Sequence, residues 1–469
     1  MNRKTSLVKN ILIFGVGTSL SKLMSVLLVG MYTAFIRAGE MGYYDTLINV
    51  VSMVTPIISL QITDALYRNL LSSEEKSERV LTNCFAVLLC GIAFSTASLS
   101  IVNALTDIRL GWYLPGYIAT SAAFLFCQQT ARGLQKNTVY AVSGMVYTGV
   151  MLAANILLVV VMKMGIEALL ISTMIADVVG IVLIEVSVGV FRRLKFSLLS
   201  GGEIKEMLRY SIPMLPNVVT WWLLMVFNRF VIRLYEGWDA NGMFAVASKF
   251  PALLMTLFGV FTLAWQENAI FEYDSADRNE YYTKTFRMYT RLLTGGILLL
   301  LPVTRYIVGV LLASEYQAAW ELIPFLYLGS MAQAFANFFN TVYMGAKRTV
   351  GAFVTMVAGV AGGALVCLLL IPVLGAQAAA IAHMTAFTLA WLLRVFHTRK
   401  YAHICMEWPV LAGIALLSGG YVFCYYLANP VADMIMLGAA VPLFFLLNRD
   451  LILLMLKMSR DFFQLRQKR

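Results

Sequence analysis

Lys22 stands near the middle of the apolar stretch 8–33, where a lysine costs about 2.5–3.5 kcal/mol on insertion scales and needs water or an anion beside it. Gly15, Thr18, Ser25 and Tyr32 fall at steps of three and four around it, so most of one helix face is polar. An ammonium on such a face suits an anionic group such as a phosphate or diphosphate. Lys249, deep in a later span, is its natural partner, and Arg68, Arg132 and Arg233 can supply charge near the mouths of the same cavity. The structural alternative pairs Lys22 with Asp45 or Asp64 simply to hold two helices together.

Other spans carry similar polar stripes. Asp45, Asn49, Ser52, Pro56, Ser59 and Thr63 share a face of the second span, and Ser330, Gln333, Asn337, Asn340 and Thr341 a face of the tenth. Tyr117, Ser121, Gln128 and Arg132 mark the fourth. Polar side chains facing lipid would be unsatisfied, so these stripes are expected to face one another or water around a central cavity. Gln333 and Asn337 are therefore expected among the substrate-binding groups. Asp45, Asp64, Asp177, Glu185 and Glu267 are the acids in or beside spans, where a carboxylate can carry a coupling proton or sodium ion. Asp45 and Asp64, on or next to the second span's stripe, are the candidates for ion coupling.

Catalytic chemistry has little to stand on. Phosphate-cradling glycine loops, Ser-x-x-Lys and His-Glu-x-x-His patterns are absent, and no loop is long enough for a soluble domain. His397, His403 and Cys405 crowd one loop at a spacing that matches no metal motif, and the lone His383 reads as a packed, hydrogen-bonded residue. The six cysteines form no Cys-x-x-Cys pair and read as small buried thiols. No metal, cofactor or enzymatic activity is expected.

The elements that must position these groups are membrane helices. With 60% hydrophobic and 13% charged residues and a mean hydropathy of +0.77, the 469-residue chain belongs in a bilayer. About 14 stretches reach the roughly 20 apolar residues a spanning helix needs: 8–33, 43–66, 79–102, 112–131, 138–162, 166–190, 209–232, 241–264, 287–311, 321–344, 349–372, 375–396, 408–427 and 431–448. The net charge of +11 is distributed by loop, which argues against nucleic acid as its reason. Lys and Arg concentrate on the side of the N terminus, which places both termini in the cytoplasm.

The first six spans match the next six at an offset of about 200 residues. Gly42 in Glu40-Met-Gly-Tyr-Tyr-Asp45 corresponds to Gly242, and Met164-Gly-Ile-Glu-Ala-Leu-Leu-Ile171 to Leu374-Gly-Ala-Gln-Ala-Ala-Ala-Ile381. Six being even, the repeats are parallel, about an axis along the membrane normal. The expected fold is an all-α polytopic membrane protein. An N-terminal lobe (1–200) and a C-terminal lobe (201–400) flank a central cavity, and 401–469 adds two helices and a basic tail. The segment 191–200 joins the lobes, either as a basic segment on the membrane surface or as a solvated linker. Gly15-Val-Gly17 and Pro213-Met-Leu-Pro216 break the first and seventh spans at matching places, as hinges would.

Asn10-Ile-Leu-Ile-Phe-Gly-Val-Gly-Thr-Ser-Leu-Ser-Lys22, Glu40-Met-Gly-Tyr-Tyr-Asp45, Ala65-Leu-Tyr-Arg68 and Gly242-Met-Phe-Ala-Val-Ala-Ser-Lys249 resemble the polysaccharide-biosynthesis flippases of the multidrug/oligosaccharidyl-lipid/polysaccharide exporter superfamily. The resemblance covers essentially the whole chain. It implies translocation of an undecaprenyl-diphosphate-linked oligosaccharide from the inner to the outer leaflet, with the diphosphate falling to Lys22, Arg68 and Lys249. It also implies a bacterial plasma membrane, a monomeric unit and polysaccharide assembly proteins as partners. The two last spans look like the pair that lipid II flippases place beside the C-terminal lobe, although the first span lacks the dense arginine set expected of those proteins. A multidrug antiporter is the other alternative, and the cationic stripe speaks against it.

Overall fold

The computed structural model describes residues 28–72, 77–346, 348 and 350–449. Lys22 and the Gly15-Val-Gly17 break lie outside them. Among the described residues every regular element is helical, as a backbone in hydrocarbon requires if it is to satisfy its own hydrogen bonds. Nine of the described helices are long and apolar enough to cross a membrane, and the described residues give eleven spans if each of two bent pairs counts as one.

Two compact units divide the chain, Met1–Ala245 and Val246–Arg469. The first contains α1 (Ala38–Ile58), α2 (Ile62–Ser72), α3 (Ser77–Thr106), α4 (Leu114–Gly133), α5 (Asn137–Asn155), α6 (Glu167–Val188), the short α7 (Gly201–Ser211) and all but the end of α8 (Leu215–Ala247). The second contains α9 (Lys249–Phe271), α10 (Arg278–Leu311), α11 (Ile323–Gly345), α12 (Val350–Leu374), α13 (Ala376–Thr398), α14 (Trp408–Tyr426) and α15 (Pro430–Leu447). Each expected span from the second to the fourteenth falls on a helix. Prolines open α4, α11, α14 and α15, where a missing N–H costs nothing, and Asn429 Oδ1 caps α15 by accepting from Val431 N at 2.9 Å.

The second span is not one helix, contrary to the uninterrupted stretch expected over 43–66. Pro56 lies inside α1 and removes a backbone donor, and Leu60 and Gln61 then adopt φ of 48° and 52°. Left-handed backbone costs roughly 1–2 kcal/mol per non-glycine residue, and the result is a 56° bend between α1 and α2. The seventh and eighth spans meet at Gly237, whose φ of 85° and ψ of −169° only glycine adopts at low cost. Pro213 sits in a 3-10 turn, Ile212–Met214, and Pro216 at the start of α8, so this break lies at the mouth of the seventh span rather than within it.

The repeat is visible in the backbone. Gly165 and Gly375, matched at 210 residues, both take positive φ, 69° and 55°, and each introduces the next helix, α6 and α13. The connecting segment is partly exposed and is also held to α3 and α7. Asn83 Nδ2 donates to Glu203 Oε2 at 2.9 Å, Asn83 Oδ1 accepts from Ser200 N at 2.9 Å, and Lys195 pairs with Glu78 at 2.7 Å. Gly359 and Gly363 serve close packing: a Cβ on either would come within 2.8 Å or less of the Ala386 or Ala382 carbonyl oxygen of α13.

Two arginines staple the second unit. Arg305 of α10 lies over the rings of Trp320 and Tyr425, donates to the Tyr425 carbonyl, and faces Asp433 of α15 at 3.4 Å, which holds the last two helices in place. Arg394, only 4% exposed, donates to Ala336 O at 2.7 Å, Thr355 Oγ1 at 3.1 Å and Ala352 O at 3.2 Å, joining α11, α12 and α13. Arg394→Met strips three buried acceptors of their donor, at about 1–3 kcal/mol each. It is expected to lower the melting temperature of the purified protein markedly, with Arg394→Lys recovering only part because an ammonium cannot match the guanidinium fork. An unchanged melting curve for Arg394→Met would remove the staple from the account.

Candidate functional site

The strongest polar construction in the first unit is where α1 crosses α8. Asp45 and Arg229 are 6% and 4% exposed, and Arg229 Nε donates to Asp45 Oδ2 at 2.6 Å. Asn49 Nδ2 supports the same oxygen at 3.1 Å, and Arg229 also donates to Met225 O at 3.1 Å. Toward the helix corner, Asn241 Nδ2 donates both to Gly42 O at 2.8 Å and to Thr46 Oγ1 at 2.6 Å. Tyr43 meets Trp238 edge to face at 5.2 Å, and Arg233 lies over the Trp238 ring at 4.6 Å. Beside this corner Arg109 donates to Glu40 at 2.8 Å, and that hydrogen bond pushes the guanidinium further into its charged range.

Glycine makes the crossing possible. A Cβ on Gly42 would lie 2.2 Å from Trp238 O and 2.6 Å from Gly242 N, and one on Gly242 would lie 1.9 Å from Ala38 O. Residues matched by the repeat thus touch one another, as they must at an axis relating two copies. The corner is shut tightly enough to exclude any side chain at these positions.

Arg68 and Arg132 sit at the other end of the bent span. Roughly 35 Å of helix separates Asp45 from Arg68, at 1.5 Å per residue and before the bend is counted. Arg68 is exposed and lies 4.1 Å over the ring of Tyr210, while Arg132 lies 4.5 Å over Tyr67, the residue before Arg68. The structure therefore brings these two candidate cations together, each resting on an aromatic face. Asp64, in the first turn of α2 just after the left-handed pair, accepts from Gln61 Nε2 at 3.0 Å. Asp45 and Asp64 are in quite different surroundings, one in a buried ion pair and one partly exposed beside the bend.

In the second unit Lys249 is exposed and opens α9 directly after the turn at Ser248, so the eighth span is broken at its lysine and extends to Phe271 rather than 264. The Glu267 side chain lies outside the described residues. Asn337 is exposed and Gln333 half-buried one turn earlier on α11. Trp265 stacks on Phe338, beside Asn337, at 4.1 Å. About sixteen residues, or roughly 24 Å of helix, separate Lys249 from Trp265, so Lys249 and Asn337 occupy different depths. His383 is buried against Phe387, and His397 meets Tyr343 at 2.9 Å. Among the described residues no group of three metal-ligating side chains occurs, and all six cysteines are free thiols.

Arg229, Asn241 and Arg394 were not singled out by sequence. Arg229 and Arg394 stand near span ends and read as loop-flanking charges. The available signal was Arg229 at a depth comparable to Asp45, with opposite sign.

Residues 7–266 match the family described as polysaccharide biosynthesis protein. No curated protein matches the sequence significantly. Among solved structures, the lipid II flippase MurJ in an inward closed conformation is similar with a TM-score of 0.69 at 14% identity, over 94% of this chain and 100% of that one. An inward-facing multidrug resistance MATE family transporter of the MOP superfamily is similar with a TM-score of 0.66 at 12% identity, over 81% of this chain and 94% of that one. A MOP superfamily transporter from Pyrococcus furiosus, whose binding pocket is described as having reverse polarity, gives a TM-score of 0.62 at 13% identity, over 84% of this chain and 95% of that one. The chain thus belongs to the polysaccharide biosynthesis protein family, a multi-pass membrane protein with the fold of MOP superfamily flippases and transporters.

Proposed function

We propose that this protein carries a polyprenyl-diphosphate-linked oligosaccharide from the inner to the outer leaflet of a bacterial plasma membrane by alternating access. The observation that carries this reading is the placement of charge in a family tied to polysaccharide synthesis. The corner at Gly42 and Gly242 is shut by a buried ion pair, while Arg68 stands exposed and Arg132 half-buried beside it at the opposite end of the bent span. With both termini in the cytoplasm, the shut corner is the outer gate and the arginines meet the diphosphate at the inner mouth. Lys22 and Lys249 complete the cationic groups for the diphosphate, and Gln333 and Asn337 engage sugar hydroxyls. Asp45 and Asp64 serve ion coupling: a coupling cation taken up at Asp45 competes with Arg229 for the carboxylate and so releases the gate. The protein acts as a monomer, with polysaccharide assembly proteins as partners.

The physics of the cargo supports this division. Each unpaired hydroxyl taken into hydrocarbon costs several kcal/mol, roughly 4–8 on cyclohexane scales, whereas the polyprenyl tail is at home in lipid. A carrier therefore has to shelter only the headgroup. Lipid II is the second reading, favoured by the coverage of 94% of the chain in the match to MurJ.

The test is the leaflet distribution of lipid-linked saccharides in cells lacking the protein, read with a membrane-impermeant reagent. Inner-leaflet accumulation of a diphosphate-linked oligosaccharide is expected, reversed by the wild type. The Arg68→Ala/Arg132→Ala variant should restore about tenfold less transport or lower, since each charge-assisted hydrogen bond is worth ~1.5–3 kcal/mol. Accumulation of lipid II would move the second reading to first place. No accumulation of either, in a strain without a redundant flippase, would sink the proposal.

A further inference from the structure

The second unit holds an open pocket of about 430 Å³ that the transport reading leaves unused, a size within the ~300–1,000 Å³ range of small-ligand sites. It forms where the 3-10 segment Ser314–Glu321, the start of α11, the turn at Gly375 between α12 and α13, and the end of α14 meet. The 53° bend between Ser314–Glu321 and α11 sets Trp320 and Glu321 in the lining beside Phe325. Gln377 of α13 and Tyr426 of α14 lie across from them in the sequence and line the same space. With both termini in the cytoplasm, these helix ends are on the outer side of the membrane.

Trp320, Phe325 and Tyr426 are each half-buried, so their rings are partly open to a ligand. The Tyr426 ring centre stands 6.0 Å from that of Trp320 and 6.2 Å from that of Phe325. Arg305 covers one face of the Trp320 indole at 4.5 Å and Tyr425 packs beside it at 5.5 Å, which holds the ring in place. The Tyr426 hydroxyl accepts from Gln377 Nε2 at 2.8 Å and donates to the Glu321 carbonyl at 2.5 Å, so its own donor is spent and its ring is fixed. Gln377 keeps an amide oxygen and a second N–H for another partner. Glu321 is exposed, and among the described residues its carboxylate enters no ion pair.

Fixed rings with an amide and a carboxylate beside them match the two-sided chemistry of a sugar. The C–H face of a pyranose carries partial positive charge, which settles on the negative face of an aromatic ring. Its hydroxyls need acceptors and donors around that ring, and a carboxylate accepts them more strongly than a neutral group does. The same carboxylate repels a phosphate, which disfavours a phospholipid headgroup or a diphosphate here. An acyl chain would strand both Glu321 and Gln377 without partners. We propose that Trp320, Tyr426, Gln377 and Glu321 form a binding site for one or two uncharged pyranose rings, separate from the cationic groups assigned to the diphosphate. That it receives the sugars of a translocated headgroup rests on the flippase reading; its capacity to hold a saccharide does not.

Binding is read by saturation-transfer NMR on the purified full-length protein in nanodiscs. Cellobiose and N,N′-diacetylchitobiose are the probes, and inorganic diphosphate is the charged competitor. Saturable transfer to the ring protons of at least one disaccharide, undisturbed by diphosphate, is expected. Glu321→Ala leaves the backbone bond from Tyr426 in place and should weaken binding about tenfold or more, and Gln377→Leu severalfold, as loss of a charged and a neutral partner requires. Trp320→Ala should weaken it up to about tenfold, the worth of an aromatic contact. If Trp320→Ala fails to fold for want of its packing with Arg305, Glu321→Ala and Gln377→Leu decide: weaker binding in either supports the site, and unchanged affinity in both overturns it. Absence of saturable transfer from both disaccharides, or displacement by diphosphate, overturns it as well. The leaflet distribution in cells is scored separately. Disaccharide binding that these variants weaken, in a protein whose loss causes no accumulation, leaves the site standing and removes the flippase reading. Inner-leaflet accumulation without disaccharide binding does the reverse.

Discussion

Asp45→Ala is expected to cost about 3–5 kcal/mol of stability, because it strands the Arg229 guanidinium in a site where it is only 4% exposed. The melting temperature of the detergent-solubilised protein should drop accordingly, and Arg229→Met should do the same from the other side. The informative variant is the double replacement Asp45→Leu/Arg229→Met. Exchanging both members of a buried ion pair for apolar groups is often neutral for stability, so melting should recover much of the loss. Transport should not recover, since an apolar pair offers no carboxylate to a coupling cation. Recovery of both would reduce the pair to packing and would remove Asp45 from the coupling proposal. A double-mutant cycle over the two single substitutions gives the interaction directly, and residues in such contact typically show coupling of about 0.5–3 kcal/mol.

Gly242→Ala should have an effect of similar size by a different route. The new methyl would lie 1.9 Å from Ala38 O, and ordinary contact begins near 3.4 Å, so the helices must part. The obstructing atom is backbone, which no rotamer change can move aside. Overpacking of this kind costs about 1–3 kcal/mol and occasionally more, and it pulls apart the Asn241 bonds to Gly42 O and Thr46 as well. The corner can be followed with a reporter disulfide. A Cβ on Gly39 lies 3.6 Å from Trp238 Cβ, within the ~3.5–4.5 Å range a disulfide spans. Gly39→Cys with Trp238→Cys, in a background lacking the exposed Cys90 and Cys405, should crosslink efficiently and lose most of that efficiency when Gly242→Ala is added. The same crosslink without Gly242→Ala should stop transport until a reductant is added. Flipping that continues through an intact crosslink would rule out opening at this corner.

The second expected effect originates at positions matched across the repeat. A parallel repeat brings equivalent residues together only along its axis. There a small residue is required twice, once from each copy, and Gly42 and Gly242 supply it.

The chain alone determined the helical class and the helices on which its later apolar stretches fall, nine to eleven of them able to span a membrane among the described residues, because apolar runs of spanning length leave the backbone no alternative in hydrocarbon. It also identified Gly165 and Gly375 as equivalent, and both prove to be positive-φ turns before a helix. The tertiary structure decided what each charge does. Asp45 and Asp177 are both aspartates in apolar spans, yet one meets Arg229 and the other two hydroxyls. Arg394 and Arg305 read as flanking charges near span ends, yet each binds helices distant in sequence. The bend after Pro56 depends on two left-handed residues, Leu60 and Gln61, whose types give no such signal. Spacing along a helix shows which residues share a face, but the partner that face meets lies up to two hundred residues away and is selected by packing alone.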